Sequence, residues 1–171
     1  VLSDSSTGTG VDISFPLAIT LDSANNRALV TDNNLDALVA IDLDSGDRSI
    51  LSDAGTGSGA ELTVPEYIAL DSANNRALVL DTVLNALVAI DLDSGDRPII
   101  SDTNIGIGPD LENAAGLALD SANNRVLVVD SSRDSLLAID LDSGDRRELA
   151  LAAHSQSLVL APVRHAARSL L

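Results

Sequence analysis

Cysteine, methionine, tryptophan and lysine are absent from this 171-residue chain, and tyrosine and phenylalanine occur once each. The absence of cysteine excludes a disulfide framework, a thiol nucleophile and cysteine-ligated zinc. With aromatic residues at 1%, the aliphatic residues must fill any core. All ten basic residues are arginines, and 26 acidic residues give a formal net charge of −16. Such a surface favours cations, whereas nucleic acids and anionic membranes bind basic surfaces and are not expected as partners.

Long apolar runs are also missing, since none approaches the ~18–20 residues that cross a bilayer. No signal peptide is recognisable, and the chain does not begin with methionine. We therefore expect a processed or excised form. Its compartment stays open, with an exported location favoured.

What the chain does contain is a repeat. The string LDSANNRALV begins at Leu21 and Leu70, and LDSANNRVLV begins at Leu119, so the copies lie 49 residues apart. A second string, ALVAIDLDSGDR or SLLAIDLDSGDR, follows each copy at the same spacing. A period between about 20 and 50 residues is typical of solenoids, propellers and arrays.

Each repeat holds four short apolar segments separated by turn residues. In the second copy they are Tyr67–Leu70, Ala77–Leu80, Ala86–Leu92 and Pro98–Ile100. Short runs with many β-branched residues favour strands over helices. The DSANNR and DSGDR strings are rich in turn residues, and the glycine of DSGDR is expected at a positive φ angle. Four antiparallel strands per copy are the signature of a β-propeller blade.

The repeat divides the chain into an all-β region and a tail. Three four-stranded β-propeller blades are predicted, at about 12–53, 61–102 and 110–151. Residues 1–4 are expected to be an extra edge strand, and the glycine-rich stretches between blades are predicted to be flexible linkers. Residues 152–171 do not follow the repeat and are predicted to form a short helix. They contain both histidines, His154 and His165, for which a packing or surface role is expected.

The blocks PEYIALD, RALVLD and ALVAIDLDSGDR resemble the NHL-repeat type of six-bladed propeller. That group is similar to the calcium-dependent gluconolactonase, regucalcin, paraoxonase and phosphotriesterase propellers. The resemblance covers about residues 1–150 and implies an architecture, because one fold hosts many functions. Three blades make half of such a ring, and each end blade would expose an apolar face to water. Since such faces mark interfaces, a homodimer that completes six blades is expected.

The resemblance also implies a metal site. In the similar propellers, calcium-binding residues occupy the position five residues before the strand-ending aspartate, which is Glu66 in the second copy. Leu17 and Ala115 hold this position in the other copies and cannot bind metal. A dimer would bring two Glu66 side chains together, with Asn113 or Glu112 as further donors. Water or aspartates would complete the about six to eight oxygen ligands of calcium. The alternative is that Glu66 is a solvated residue at a strand start.

The second strand of each copy also ends in an aspartate: Asp32, Asp81 and Asp130. We expect these side chains at the same end of the blades as the first-strand starts and the linkers, with the DSANNR and DSGDR turns at the other end. Because function lies on variable loops held by a scaffold, this end is the candidate active face. The aspartates either accept backbone hydrogen bonds in the next turn or form a ring of carboxylates that acts as a general base.

Two functions stay open. The first is a metal-dependent hydrolase of small-molecule lactones, esters or phosphotriesters, with a central acidic site shared across a dimer. A divalent cation, calcium, would polarise the substrate and lower the pKa of bound water. Glu66 would bind it, and a rim aspartate would be the base. The second is a non-catalytic binding or structural module, a fragment of a larger repeat protein. The acidic face and the resemblance favour the hydrolase, which is the prediction carried forward, whereas Leu17 and Ala115 favour the second function.

Overall fold

A computed structural model describes residues 1–149 of the chain. Within them, the repeat folds into three antiparallel sheets of four strands each, and within each sheet every strand pairs with its neighbours in sequence. This is the up-and-down blade arrangement that the repeat predicts. The predicted tail at 152–171, with His154 and His165, lies outside the described residues. No helix in the described part is long and apolar enough to cross a membrane.

The four apolar segments of each copy become four strands. The first sheet contains β1 Pro16–Asp22, β2 Arg27–Asp32, β3 Ala37–Asp42 and β4 Arg48–Ser52. The second sheet contains β5 Pro65–Asp71, β6 Arg76–Asp81, β7 Ala86–Asp91 and β8 Ile99–Ser101. The third sheet contains β9 Ala114–Asp120, β10 Arg125–Asp130, β11 Ser135–Asp140 and β12 Arg146–Leu149.

The turns follow from their residue types. In the second copy, DSANNR forms one turn of 3-10 helix, and Asn75 at its end has a left-handed φ of 49°. Asparagine tolerates this conformation better than most residues. The Nε of Arg76 donates to Oδ2 of Asp71 over 2.8 Å and closes the turn. In the DSGDR turn Gly95 has a φ of 77°, as predicted.

The apolar core lies between neighbouring sheets. One cluster joins the first sheet to the second, and another joins the second to the third. The second of these includes Leu78, Leu80, Leu87, Val126, Val128, Leu137 and Ile139, all fully buried. Because the middle sheet is covered on both faces, its strands read as continuous apolar runs and do not alternate.

The glycine-rich linkers are docked against the next blade, so the prediction that they are flexible is wrong. A Cβ added to Gly57 would lie 2.0 Å from the carbonyl oxygen of Gly95. Arg97 donates from Nε to the carbonyl of Ala60 and from Nη1 to that of Thr56, each over 2.7 Å. The linker therefore contacts the DSGDR turn, which was predicted to lie at the opposite end. The reason is Arg97, which is buried just before β8 and binds the linker carbonyls.

Residues 1–4 were predicted to be an edge strand, and in the single chain they form none. The hydroxyl of Ser3 donates to the carbonyl of Gly46 over 2.6 Å, and Nη1 of Arg48 donates to Ser3 Oγ over 2.6 Å. Arg97 makes the equivalent contact with Ser52. The first residues of the chain therefore dock on the first blade as a linker docks on the second.

Candidate functional site

Apart from the linkers, the three copies differ mainly at one end of the blades. At the other end, the DSANNR and DLDSGDR strings are identical in all three. The differing residues lie at the starts of β1, β5 and β9 and in the turns after β2, β6 and β10. Main-chain hydrogen bonds such as that from Thr82 N to Val64 O, 3.1 Å, hold the two parts together. We call this the variable end; it comprises residues 14–18, 33–36, 63–67, 82–85, 112–116 and 131–134.

Glu66, the first predicted metal ligand, lies at a β-bulge near the start of β5. The residues on either side of it pair with β6, so Glu66 is one extra residue in its strand. The same irregularity occurs at Leu17 in β1 and around Ala115 in β9. Bulges redirect side chains and are common beside active sites. The bulge is a feature of this position that the sequence did not reveal.

The carboxylate of Glu66 is bound by side chains. The hydroxyl of Tyr67 donates to Oε1 over 3.1 Å, and Oγ1 of Thr82 donates to Oε2 over 2.9 Å. Burial and the bond to Glu66 raise the pKa of the Tyr67 hydroxyl above its ordinary value. Sequence reasoning missed both partners. The sequence does mark them, because the three copies differ at these two positions. The other copies have alanine and glycine in place of Tyr67, and asparagine and serine in place of Thr82.

Asn113, the second predicted metal ligand, directly precedes β9. Its carbonyl oxygen accepts hydrogen bonds from the amide of Ser131 at 3.0 Å and from its hydroxyl at 3.1 Å, and Asn113 and Glu112 are both exposed. Within residues 1–149, no three acidic or histidine side chains form a group that could hold a metal ion. Calcium takes about six to eight oxygen ligands. One chain, as far as it is described, therefore does not supply a ligand set that fits the cation.

The aspartates that end β2, β6 and β10 are buried. They are the predicted catalytic residues Asp32, Asp81 and Asp130. In β6, Oδ2 of Asp81 accepts hydrogen bonds from the amides of Thr63 at 2.7 Å and Val64 at 3.0 Å. Its Oδ1 accepts from the amides of Val83 at 3.1 Å and Leu84 at 2.9 Å. Asp32 makes the same four bonds in the first copy. These are the bonds that a structural role requires.

In the third copy, an arginine takes the place of two of these amides. Nη1 of Arg133 donates to Oδ2 of Asp130 and, over 3.0 Å, to the carbonyl of Asp110. Burial acts to raise the pKa of Asp130, but hydrogen bonds from Ser132 and Arg133 outweigh it and hold the pKa below its ordinary value. A lowered pKa makes a carboxylate a weaker general base near neutral pH.

Other repeated aspartates hold turns and linkers. Asp91 accepts bonds from the amides of Ser94 and Asp93, which hold its pKa below the ordinary value. The hydroxyl and amide of Ser58 bind Oδ1 of Asp96, whose pKa is likewise lowered, and so tie the linker to the next blade. Many of the acidic side chains for which the composition suggested cation binding therefore stabilise turns and linkers.

The variable end also presents side chains that do not support the fold. Phe15 and Val83 are large apolar residues exposed to solvent. Three exposed acidic residues accompany them: Asp36, Glu112 and Asp134. The surface is therefore both acidic and apolar.

No protein-family model matches the chain, and no curated protein matches it. A structure of the nidogen/laminin complex is similar, with 21% identity and a TM-score of 0.63 over 83% of this chain and 50% of that chain. A structure of U3-55K has 12% identity and a TM-score of 0.58 over 86% and 43%. A catalytically inactive virginiamycin B lyase from Staphylococcus aureus, with quinupristin, has 19% identity and a TM-score of 0.58 over 84% and 43%.

The chain thus spans half or less of the length of these three proteins. At such low identities the likeness shows the fold alone. Together with the three four-stranded sheets, it supports the prediction of an all-β chain of β-propeller blades.

Proposed function

We propose that this chain is a non-catalytic binding module whose recognition surface is the variable end. The observation that carries the proposal is the distribution of differences between the copies. The turns at the opposite end are identical, whereas the variable end differs at most positions. Loops that differ on a repeated scaffold are where binding residues are placed. The carboxylates of the strand-ending aspartates serve the fold, so the differing side chains are the ones free to contact a partner.

The chemistry of the variable end indicates the partner. Its exposed carboxylates attract cationic groups, and its exposed apolar side chains lose contact with water when covered. A basic, partly apolar peptide segment of another protein matches both properties. The solved nidogen/laminin structure is that of a protein complex, which supports a binding role for a similar fold.

The first experiment measures where a basic peptide binds. The probe is a labelled peptide of alternating lysine and leucine, titrated with the full chain by fluorescence anisotropy at physiological salt. A triple variant with Asp36→Asn, Glu112→Gln and Asp134→Asn is expected to bind about tenfold more weakly, which corresponds to about 1.4 kcal/mol. The loss follows from three missing attractive charges.

A matched variant removes the same charge from the DSGDR turns, which lie at the opposite end of the blades. Asp44, Asp93 and Asp142 are exposed and occupy equivalent positions in the three DSGDR turns. Their replacement by asparagine is expected to change affinity less than about twofold. Equal losses in both triple variants would show that the peptide responds to net charge alone, and the variable end would not be a recognition surface.

A metal-dependent hydrolase is the second proposal. The observation that favours it is Glu66, whose carboxylate oxygens are bound by hydroxyls of Tyr67 and Thr82. Its place matches the calcium-binding position of the resembling calcium-dependent propellers. Because one described chain lacks a fitting ligand set, such a site would be shared across a homodimer, with Asn113 as a further donor. The substrate would be a lactone, an ester or a phosphotriester.

Chelation separates the two proposals. Hydrolysis of an activated ester and of a phosphotriester is measured with and without chelator for the wild type, Glu66→Gln and Asp81→Asn. The binding-module proposal predicts no chelator-sensitive turnover. It also predicts that Asp81→Asn lowers the free energy of unfolding by about 2 kcal/mol, since two backbone amides lose their carboxylate acceptor. Chelator-sensitive turnover that Glu66→Gln abolishes, at unchanged thermal stability, would favour the hydrolase.

A further inference from the structure

The first blade carries an apolar face on the side away from the second blade. Its centre is a cluster of Ala28, Val30 and Ile41, which are only 3%, 4% and 8% exposed in the single chain, and Ile13 and Leu43 pack at its edge. An apolar groove of about 310 Å³ opens on this face. Beside it, the inner strand presents Ile19, which is 65% exposed, and Leu21, which is also exposed. We call this surface the leading face.

The leading face has equivalents that are buried inside the chain. In the second blade, the corresponding residues pack against Leu29, Leu38 and Ala40 of the first blade. These corresponding residues are Leu62, Ala77, Val79, Ile90 and Leu92. In the third blade, the next equivalents pack against the second blade in the same way. They are Leu111, Val126, Val128, Ile139 and Leu141.

The third blade carries the matching opposite face. The receiving residues of the first blade, Leu29, Leu38 and Ala40, recur in the second as Leu78, Leu87 and Ala89. In the third blade they recur unchanged in type, as Leu127, Leu136 and Ala138. Next to them, Val129 is exposed. We call this surface the trailing face.

We infer that the leading face of one copy binds the trailing face of a second copy, twice around a two-fold axis, and so closes a ring of six blades. The chain forms this interface between its own blades two times, with the same residue types on the receiving side. Burial of the side chains that the single chain leaves exposed on the two faces, Ile19, Leu21 and Val129, drives the association. Because each copy offers both faces, two copies satisfy all four surfaces, and closed symmetry of this kind is usual for oligomers.

The first residues of the chain mark the place on the first blade that β12 of a second copy would fill. Ser3 already occupies on the first blade the place that Ser52 and Ser101 occupy on the next two. By the same repeat offset, Val1 and Leu2 correspond to Glu148 and Leu149 of β12. In the ring, β12 of the second copy takes their place. Val1 and Leu2 are both exposed in the single chain and leave this place at little cost.

The test is the mass of the full chain in solution by light scattering at micromolar concentration. A mass of about twice 17.6 kDa is expected for the wild type. Ile19→Asp places a charge in the interface and is expected to weaken the dimer at least about 100-fold. Val83→Asp is the control: Val83 is 57% exposed and lies in the turn after β6, away from both faces. It is expected to leave the dimer intact.

Further variants keep the outcome decisive. Circular dichroism and thermal unfolding are expected to show that the Ile19→Asp monomer keeps its sheets, and Val129→Asp tests the trailing face independently. Removal of Val1 and Leu2 is expected to leave the dimer as strong or stronger. A monomeric wild type, a dimer that survives Ile19→Asp and Val129→Asp, or an open assembly larger than a dimer would overturn the inference. If the wild type is a monomer and Ile19→Asp lowers its thermal stability, the leading face is covered by residues of the same chain.

Discussion

Replacement of Arg97 by alanine is expected to lower the free energy of unfolding by about 4 kcal/mol. Arg97 is 2% exposed and lies between the first two blades. Its guanidinium donates to Oγ of Ser52 and to the carbonyls of Thr56 and Ala60, each over 2.7 Å. Without it these acceptors are left without their donor, at about 1–3 kcal/mol for each one that stays buried, and a cavity remains. Urea unfolding followed by circular dichroism measures the change.

Two variants control for charge. Arg147 is exposed, so Arg147→Ala is expected to change the stability by less than about 0.5 kcal/mol. Arg97→Lys keeps the positive charge but lacks the planar guanidinium group with its several donors. We expect it to recover less than half of the stability that Arg97→Ala loses. A cost below about 1 kcal/mol for Arg97→Ala would show that the linker does not depend on the arginine.

The second large effect is expected at a glycine of the same linker. Gly57 has a φ of 77°, and an added Cβ would lie 2.0 Å from the carbonyl oxygen of Gly95. The left-handed conformation costs a residue with a Cβ about 1–2 kcal/mol, and relief of the overlap costs about 1–3 kcal/mol more. Gly57→Ala is therefore expected to lower the free energy of unfolding by about 3 kcal/mol, measured by the same urea titration.

Gly55 provides the matched control, two residues away in the same linker. It has no positive φ, and its added Cβ would meet its nearest neighbour, Oδ1 of Asp53, at an ordinary 3.5 Å. Gly55→Ala is expected to change the stability by less than about 1 kcal/mol. Equal effects at the two glycines would mean that the linker is mobile in solution, as its composition alone predicts.

Local chemistry made much of the fold predictable. The positive φ of Gly95 and the left-handed Asn75 follow from residue type, and both occur in strings repeated three times. The short apolar runs predicted strands, and their continuity is consistent with the burial of the middle sheet on both faces. The docked linkers were not predictable in this way. A charged residue beside a hairpin reads as exposed, and the burial of Arg97 depends on carbonyls that lie 37 to 41 residues away.

The candidate site was predictable only in outline. The variable end, and Glu66 within it, could be found from the sequence, because both stand out when the amino acids of the three copies are compared. The bulge at Glu66 is a matter of strand register, and the bond from Thr82 joins residues 16 apart across a hairpin. For the strand-ending aspartates the sequence left two roles open. The amides that bind Asp81 come from two different loops, which only the folded chain brings together.

The buried arginines also give the chain a direction. Arg97 in the second blade binds the segment that ends the first, and Arg146 in the third blade binds the segment that ends the second. Neither of the first two blades therefore anchors its own exit segment; each relies on the blade that follows it. If the third blade opens, the second loses the anchor of its exit segment but keeps its own arginine in place. Loss of structure is thus transmitted backwards, from each blade to the one before it, more readily than forwards.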